Sequence, residues 1–123
     1  MLVEQYFAQL EAIIADYGSI RSKVVQKDKR SEYLGYFKAE LYFPDGSALY
    51  VREFVLTRSE IEKYTYVYHY QTADHQLVFR YDDTQHYPDL PNFPHHKHTL
   101  DQVVSAVEPS LRFVLDEILD ILS

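Results

Sequence analysis

The chain has 123 residues, of which 46% are apolar and 25% charged, a composition typical of one folded globular domain. It contains no cysteine, which excludes disulfides, thiolate metal sites and cysteine nucleophiles. The formal net charge is −7, so the whole molecule repels polyanions and any nucleic-acid site has to be local.

The N-terminal segment lacks the basic start and the long apolar stretch of a signal peptide. No apolar run approaches the ~20 residues that a membrane-spanning helix needs. We therefore expect a single cytoplasmic domain over residues 1–123.

Two amphipathic helices are predicted, one at each end of the chain. Ahead of Gly18, apolar residues recur at spacings of three and four, which predicts a helix from about Leu2 to Asp16 with Gly18 in its C-terminal cap. A second apolar stripe extends from Leu111 to Leu122, and Ser105 to Pro109 is interpreted as the start of that helix.

Between the helices the apolar period changes to two, and β-branched and aromatic residues dominate, as is typical of strands. Pro-Asp-Gly-Ser at 44–47 and the polar segment 72–75 predict hairpin turns. The predicted fold is α+β, an antiparallel meander of about five strands flanked by the two helices. The predicted strands are Arg21 to Gln26, Tyr33 to Phe43, Leu49 to Leu56, Tyr64 to Gln71 and Gln76 to Asp82.

One face of such a sheet packs against both helices, and the alternation from Phe37 to Phe43 supplies residues that face the core. The other face is expected to be partly solvated. Residues 84–98 contain Pro88, Pro91 and Pro94 together with four of the six histidines. This composition predicts a proline-stiffened surface loop rather than a central strand.

The most unusual feature is the sequence Phe-Pro-His-His-Lys-His at 93–98. Histidine titrates near neutrality, so a fixed pair can act as base and acid, while Lys97 can stabilise an anionic transition state. In an extended backbone His96 and His98 share one side, and His95 and Lys97 the other; in a helical turn His95 and His98 would pair. The alternative is a solvated loop whose histidines cap nearby carbonyls.

Four tyrosines alternate along the fourth predicted strand and are expected to share one face: Tyr64, Tyr66, Tyr68 and Tyr70. Exposed tyrosines can stack on nucleotide bases, as in proteins that bind single strands. Cross-strand packing in the core is an equally good interpretation, because tyrosine is common in half-buried sheets.

Arg80 lies among apolar residues of the fifth predicted strand, and Asp82 and Asp83 follow it. Arginine suits bidentate binding of phosphate, and strand ends often present functional groups to a pocket. The alternative is an ion pair between Arg80 and an aspartate or Glu53. Arg52 occupies a comparable strand position and is open to both interpretations.

Several common enzyme motifs are absent from the sequence. There is no glycine-rich phosphate loop, serine elbow, His-Glu-x-x-His helix or EF-hand loop. These absences exclude the enzyme classes that depend on them.

These segments together resemble the TumE-like family, the toxin components of bacterial toxin-antitoxin modules. The specific part of the resemblance is Phe-Arg-Tyr-Asp at 79–82 followed by Pro-His-His-Lys-His at 94–98. Residues 52–55, 66–70 and the closing helix extend it over most of the chain. The resemblance implies a growth-inhibiting toxin that attacks RNA or translation, and a cognate antitoxin partner with a DNA-binding helix-turn-helix.

We hypothesise a metal-independent endoribonuclease of the mRNA interferase type, with no cofactor. The RNA 2′-hydroxyl would attack the adjacent phosphate while His96 or His98 removes or returns the proton, and Arg80 and Lys97 would offset the phosphorane charge. The residues assigned to substrate binding are Tyr66, Tyr68, Tyr70, Arg52 and His95.

Two other classes of function remain open. One is a metal-dependent phosphodiesterase or nucleotidyl-transfer enzyme with Asp82, Asp83, His96 and His98 as ligands. The other is a noncatalytic module that binds a protein through the solvated sheet face and the acidic C-terminal tail. The sequence fixes neither the RNA target nor the oligomeric state, and a homo-oligomer is compatible with it.

Overall fold

The computed structural model describes residues 1–84 and 92–123. Within these residues, two helices flank one seven-stranded antiparallel sheet. Its strands lie side by side in sequence order, so the sheet is a meander. The elements are α1 (Val3–Ala15), β1 (Ser22–Lys29), β2 (Leu34–Tyr42), β3 (Ala48–Leu56), β4 (Glu62–Gln71), β5 (Leu77–Asp82), β6 (His96–His98), β7 (Val103–Ser105) and α2 (Leu111–Leu122).

The predicted α+β meander is confirmed, with seven strands instead of about five. Strands β1 to β5 correspond to the five predicted ones, and β6 and β7 are additional. The prediction of a surface loop over 84–98 was wrong for residues 96–98, which form a strand between β5 and β7. Pro94 precedes this strand, so no proline occupies its hydrogen-bonding positions. Pro88 and Pro91 lie outside the described residues.

The start of α2 also differs from the prediction. The helix begins at Leu111, because the Ser110 hydroxyl caps it by accepting a hydrogen bond from the Phe113 amide at 3.1 Å. Ser105, interpreted as part of the helix start, ends strand β7 instead. Pro109 lies just outside the capped end, where it needs no amide hydrogen.

Both predicted hairpin turns are confirmed. The turn between β2 and β3 closes with the Phe43 amide donating to the Ser47 carbonyl at 2.9 Å, and Gly46 supplies a positive φ of 84°. The turn between β4 and β5 closes with the Thr72 amide donating to the Gln76 carbonyl at 2.9 Å. These short turns place consecutive strands next to each other and so produce the meander.

Both helices pack on the same face of the sheet, which we call the helix face. The Phe7 ring of α1 lies 5.8 Å from the Phe37 ring of β2, and the Tyr81 hydroxyl of β5 donates to Glu117 of α2 at 2.7 Å. The predicted core-facing residues of β2 and the turn after it are buried: Phe37, Ala39, Leu41 and Phe43. No helix of residues 1–84 or 92–123 covers the opposite face, which we call the open face.

The alternating tyrosines of β4 do not all share one face. Tyr66, Tyr68 and Tyr70 are at most 1% exposed and belong to the core, whereas Tyr64 is 50% exposed. The residues on either side of Tyr64 pair with consecutive residues of β3, so Tyr64 is the extra residue of a β-bulge. The bulge reverses the alternation, and Tyr64 joins the open face.

Neither α1 nor α2 is long and apolar enough to cross a membrane, and the described part of the chain contains no other helix.

Candidate functional site

Two rows of side chains cross the open face from strand to strand. Directly paired residues of antiparallel strands point to the same side, so each row follows from the register. We call the first the Arg52 row; its members are Lys38, Arg52, Val67, Asp82 and His96. We call the second the Arg80 row; its members are Glu40, Tyr50, His69, Arg80 and His98.

Asp82 belongs to the Arg52 row and also contacts two residues of the Arg80 row. Its carboxylate is 2% exposed and lies 2.7 Å from Nε2 of His96, 2.9 Å from Nε of Arg80 and 3.4 Å from Nε2 of His98. Burial acts to raise the pKa of Asp82, but the hydrogen bond from Arg80 and the nearby imidazoles outweigh it and lower that pKa. Asp82 is therefore ionised at neutral pH.

His96 is held rigidly behind Asp82. The residue is 2% exposed, and its Nδ1 lies 2.8 Å from the Pro94 carbonyl oxygen while its Nε2 faces Asp82. Both ring nitrogens thus lie next to acceptors. This burial suits His96 to positioning the carboxylate rather than to contacting a substrate.

His69 and His98 lie on either side of Arg80 in the Arg80 row. The Arg80 side chain is 37% exposed, and its Nη1 lies 3.4 Å from Nδ1 of His69. Burial lowers the pKa of His69 and of His98; Gln71 acts against this shift at His69, and Asp82 does so at His98. Two imidazoles with lowered pKa values therefore flank an accessible guanidinium.

Asp82, His96 and His98 also form a candidate cation site. One ligand atom from each residue can be chosen so that all three lie within 4.8 Å of one another. Two imidazoles and a carboxylate are donors that suit a first-row transition metal. Asp83, the fourth expected ligand, lies apart, because its carboxylate accepts hydrogen bonds from the Thr65 hydroxyl at 3.0 Å and the Tyr66 amide at 3.2 Å.

A family model described as Toxin TumE matches residues 10–123, nearly the whole chain. The chain belongs to the TumE toxin family. Membership makes it a toxin of a toxin-antitoxin module and implies a cognate antitoxin as its partner. Comparison with curated proteins and with solved structures found no match. The two motifs that carry the sequence resemblance to TumE toxins lie on adjacent strands, where Arg80 pairs with His98.

The alternation of β6 places Lys97 on the opposite side from His96 and His98. Its ammonium lies on the helix face, 2.7 Å from Glu117 and 5.0 Å from the centre of the Tyr81 ring. Lys97 thus forms an ion pair with α2, and the structure does not bring it to the phosphate position that was expected for it.

Most of the side chains assigned to substrate binding also lie on the helix-face side of the sheet. The hydroxyl of Tyr66 bonds Nδ1 of His95 at 2.9 Å, and the two rings stack with centres 5.8 Å apart. Tyr68 and Tyr70 are buried in the core. Rings in these positions cannot stack on a nucleotide, so only Arg52 of the assigned set reaches the open face.

Of the two expected ion pairs of Arg80, the one with an aspartate is present as Arg80-Asp82 at 2.9 Å. The one with Glu53 is wrong, since Arg80 and Glu53 point to opposite faces. Glu53 is fully buried on the helix face, where it accepts hydrogen bonds from the hydroxyls of Tyr6 and Tyr68. Burial and the Glu53 carboxylate raise the pKa of both hydroxyls, so they remain protonated donors. Lys63 lies 3.9 Å from Glu53 and completes this buried network.

His69 is the site residue that the sequence interpretation missed. It alternates with the buried tyrosines of β4, so the period of two already placed it on the opposite face from them. Its position beside Arg80 depends on the register of β4 against β5, which the sequence pattern does not specify.

Proposed function

We propose that this toxin is a cytoplasmic, metal-independent endoribonuclease. The observation that supports it most strongly is the placement of His69 and His98 on either side of Arg80, next to the buried Asp82-His96 pair. Cleavage of a phosphodiester by an internal nucleophile requires a base, an acid and a positive charge near the phosphate. The Arg80 row offers all three.

In the proposed reaction His98 removes the proton from the RNA 2′-hydroxyl, whose oxygen attacks the adjacent phosphorus. Arg80 offsets the charge on the phosphorane, and protonated His69 gives a proton to the departing 5′-oxygen. The products are a 2′,3′-cyclic phosphate and a 5′-hydroxyl end. Asp82 holds Arg80 and His98 in position, and His96 holds Asp82. Because His96 is buried, we propose it as a positioning residue instead of the base.

The test is cleavage of a labelled RNA in the presence of a chelator. We expect His98→Ala and His69→Ala each to slow cleavage by about 10²- to 10⁴-fold, the usual contribution of a placed acid or base. The matched control is Lys97→Gln, which changes a basic residue of the same strand on the opposite face and should cleave at the parental rate. Parental rates from both histidine variants would refute the proposal.

The cognate antitoxin is proposed to carry a helix-turn-helix and to block this site or its substrate surface. Co-expression of the toxin with the small protein encoded beside it should restore growth. The same co-expression should abolish RNA cleavage in extracts.

A second candidate, a metal-dependent phosphodiesterase or nucleotidyl-transfer enzyme, is favoured by the convergence of Asp82, His96 and His98. A bound divalent cation would polarise the phosphate and activate water there. This function requires that chelation abolish activity and that manganese or zinc restore it. It also requires that His96→Ala weaken metal binding measured by calorimetry.

A further inference from the structure

Away from the candidate site, the open face carries cations beside aromatic rings, of which Tyr64 is exposed and Tyr36 and Phe54 are half-buried. In the Arg52 row, Lys38 and Arg52 are exposed and pair directly across β2 and β3. Next to them, the Tyr36 and Phe54 rings lie 5.6 Å apart, and the exposed Tyr64 ring lies 5.8 Å from Phe54. We call these three rings the aromatic cluster.

Lys38 and Arg52 are two positive side chains placed directly opposite each other. Like charges placed directly opposite each other in a sheet are destabilising. Neither Lys38 nor Arg52 forms an ion pair with another residue in the ranges 1–84 and 92–123. Lys38 instead lies over the Tyr36 ring at 5.2 Å from its centre. A bound phosphate between the two cations would relieve their repulsion.

The register connects this surface to the site. Arg52 pairs with Val67, and Val67 pairs with Asp82, so Arg52 lies two strands from Asp82. Adjacent strands are about 4.8 Å apart, which places Arg52 about 10 Å and Lys38 about 14 Å from Asp82. One chain of phosphates can therefore follow the Arg52 row into the site.

The exposed charge of the two helices is mainly acidic. The two helices carry five acidic residues, Glu4, Glu11, Asp116, Glu117 and Asp120, against the single basic residue Arg112. Three carboxylates of the open face already have partners: Asp28 pairs with Arg30, Asp82 pairs with Arg80, and Glu40 accepts a hydrogen bond from the Tyr42 hydroxyl at 2.6 Å. A polyanion is thus repelled from the helix side and attracted locally by Lys38, Arg52 and Arg80.

We infer that the open face binds single-stranded RNA, with phosphates along the Arg52 row and bases stacked on the aromatic cluster; the choice of RNA as the polymer rests on the proposed function. Exposed rings on a sheet stack on unpaired bases, and cations beside them bind the backbone. A duplex has its bases stacked within the helix, so it cannot use the rings.

The experiment measures binding of a fluorescent single-stranded RNA by anisotropy, in a His98→Ala background that prevents cleavage. Tyr64→Ala and Phe54→Ala should each weaken binding roughly 5- to 150-fold, which corresponds to the loss of one stacked base. Lys38→Ala with Arg52→Ala should lower the slope of log Kd against log salt by about 1.4, because two phosphate contacts are lost. The matched control is Phe113→Ala, which removes a ring that is 56% exposed on α2 and should bind like the parent.

Several results would overturn the inference. They are unchanged binding by the Tyr64 and Phe54 variants, an equal loss in the Phe113 variant, or duplex RNA binding as tightly as single strands. Loss of antitoxin capture but not of RNA binding in the Lys38 and Arg52 variants would make the face a protein-docking surface. The ring variants could lose RNA binding although the parent never cleaves RNA. That result would refute the endoribonuclease proposal and support the RNA-binding surface.

Discussion

Asp82 shows how one buried carboxylate organises the chemistry of its neighbours. It is fixed by Arg80 within its own strand and by His96 across the ladder, and His98 reaches it from the exposed side. A buried anion is stable only when it is paired and hydrogen-bonded, so these partners and the carboxylate support one another.

Replacing Asp82 by Asn tests this role without a large change in shape. The Asp82 carboxylate favours the charged form of His98, so its removal should lower the pKa of His98 further. The shift can be followed by NMR titration of the His98 ring protons. Asp83→Asn, which removes the adjacent charge, is the control and should leave the His98 titration almost unchanged. A His98 pKa that rises or stays constant in Asp82→Asn would contradict the arrangement.

The pH dependence of cleavage follows from the two flanking imidazoles. Activity rises as the base loses its proton and falls when the acid loses its own. Because the pKa values of both His69 and His98 are lowered below the ordinary 6.5, cleavage should be fastest below pH 6.5. The measurement is kcat/KM against pH, which reports the free enzyme. An optimum above pH 7.5 would be inconsistent with these two residues as acid and base.

At the residue scale, the sequence identified the right segments but could not assign every side chain to a face. The alternation separated His96 and His98 from Lys97, as an extended backbone requires. It failed for Tyr64, because a single extra residue inverts the pattern and has no signature in the residue types. His69 was missed because only the pairing of β4 with β5 reveals its neighbour Arg80.

At the scale of elements, a buried network attaches α1 to the sheet. Glu53 of β3 accepts hydrogen bonds from Tyr6 of α1 and Tyr68 of β4, and Lys63 lies close to the same carboxylate. The Lys63 ammonium also donates to the Pro109 carbonyl at 2.8 Å, just before α2. One carboxylate on the helix face therefore connects both helices to the strands.

Glu53→Ala should destabilise the fold without altering the site on the other face. It leaves the buried hydroxyls of Tyr6 and Tyr68 without their acceptor and removes the nearest negative charge from Lys63. This change costs about 3 kcal/mol of unfolding free energy or more. Urea denaturation measures this loss, and the specific cleavage activity of the folded protein should stay at the parental value. Glu40→Ala, on the open face, is the stability control. A stability equal to that of the parent would show that the network contributes nothing.

The strands predicted from the sequence are those long enough to show an alternation of apolar and polar residues. Strands β1 to β5 have six or more residues, while β6 and β7 have three each, too few to distinguish alternation from chance. The prolines and histidines near β6 favoured the prediction of a loop. The strand that carries His96, Lys97 and His98 was therefore missed. Strand β6 is placed in the sheet by pairing with β5, and β7 by pairing with β6, which is a tertiary property.

At the scale of the whole molecule, the residues that stabilise the fold and the residues of the proposed site lie on opposite faces of the sheet. The helix face contains the core, the buried Glu53 and the ion pair of Lys97. The open face presents cations, the aromatic cluster and the imidazoles around Asp82. The family assignment and the α+β fold followed from local patterns, whereas the site depends on the register of five neighbouring strands.

The most direct test of the proposed chemistry uses two matched RNA oligonucleotides in the presence of a chelator, one natural and one with 2′-O-methyl groups throughout. If the 2′-hydroxyl is the nucleophile, the natural strand should be cut to fragments ending in 2′,3′-cyclic phosphate, and the methylated strand should remain intact while still competing for binding. Cleavage of both strands, or cleavage that stops when the chelator is added, would contradict the metal-independent mechanism.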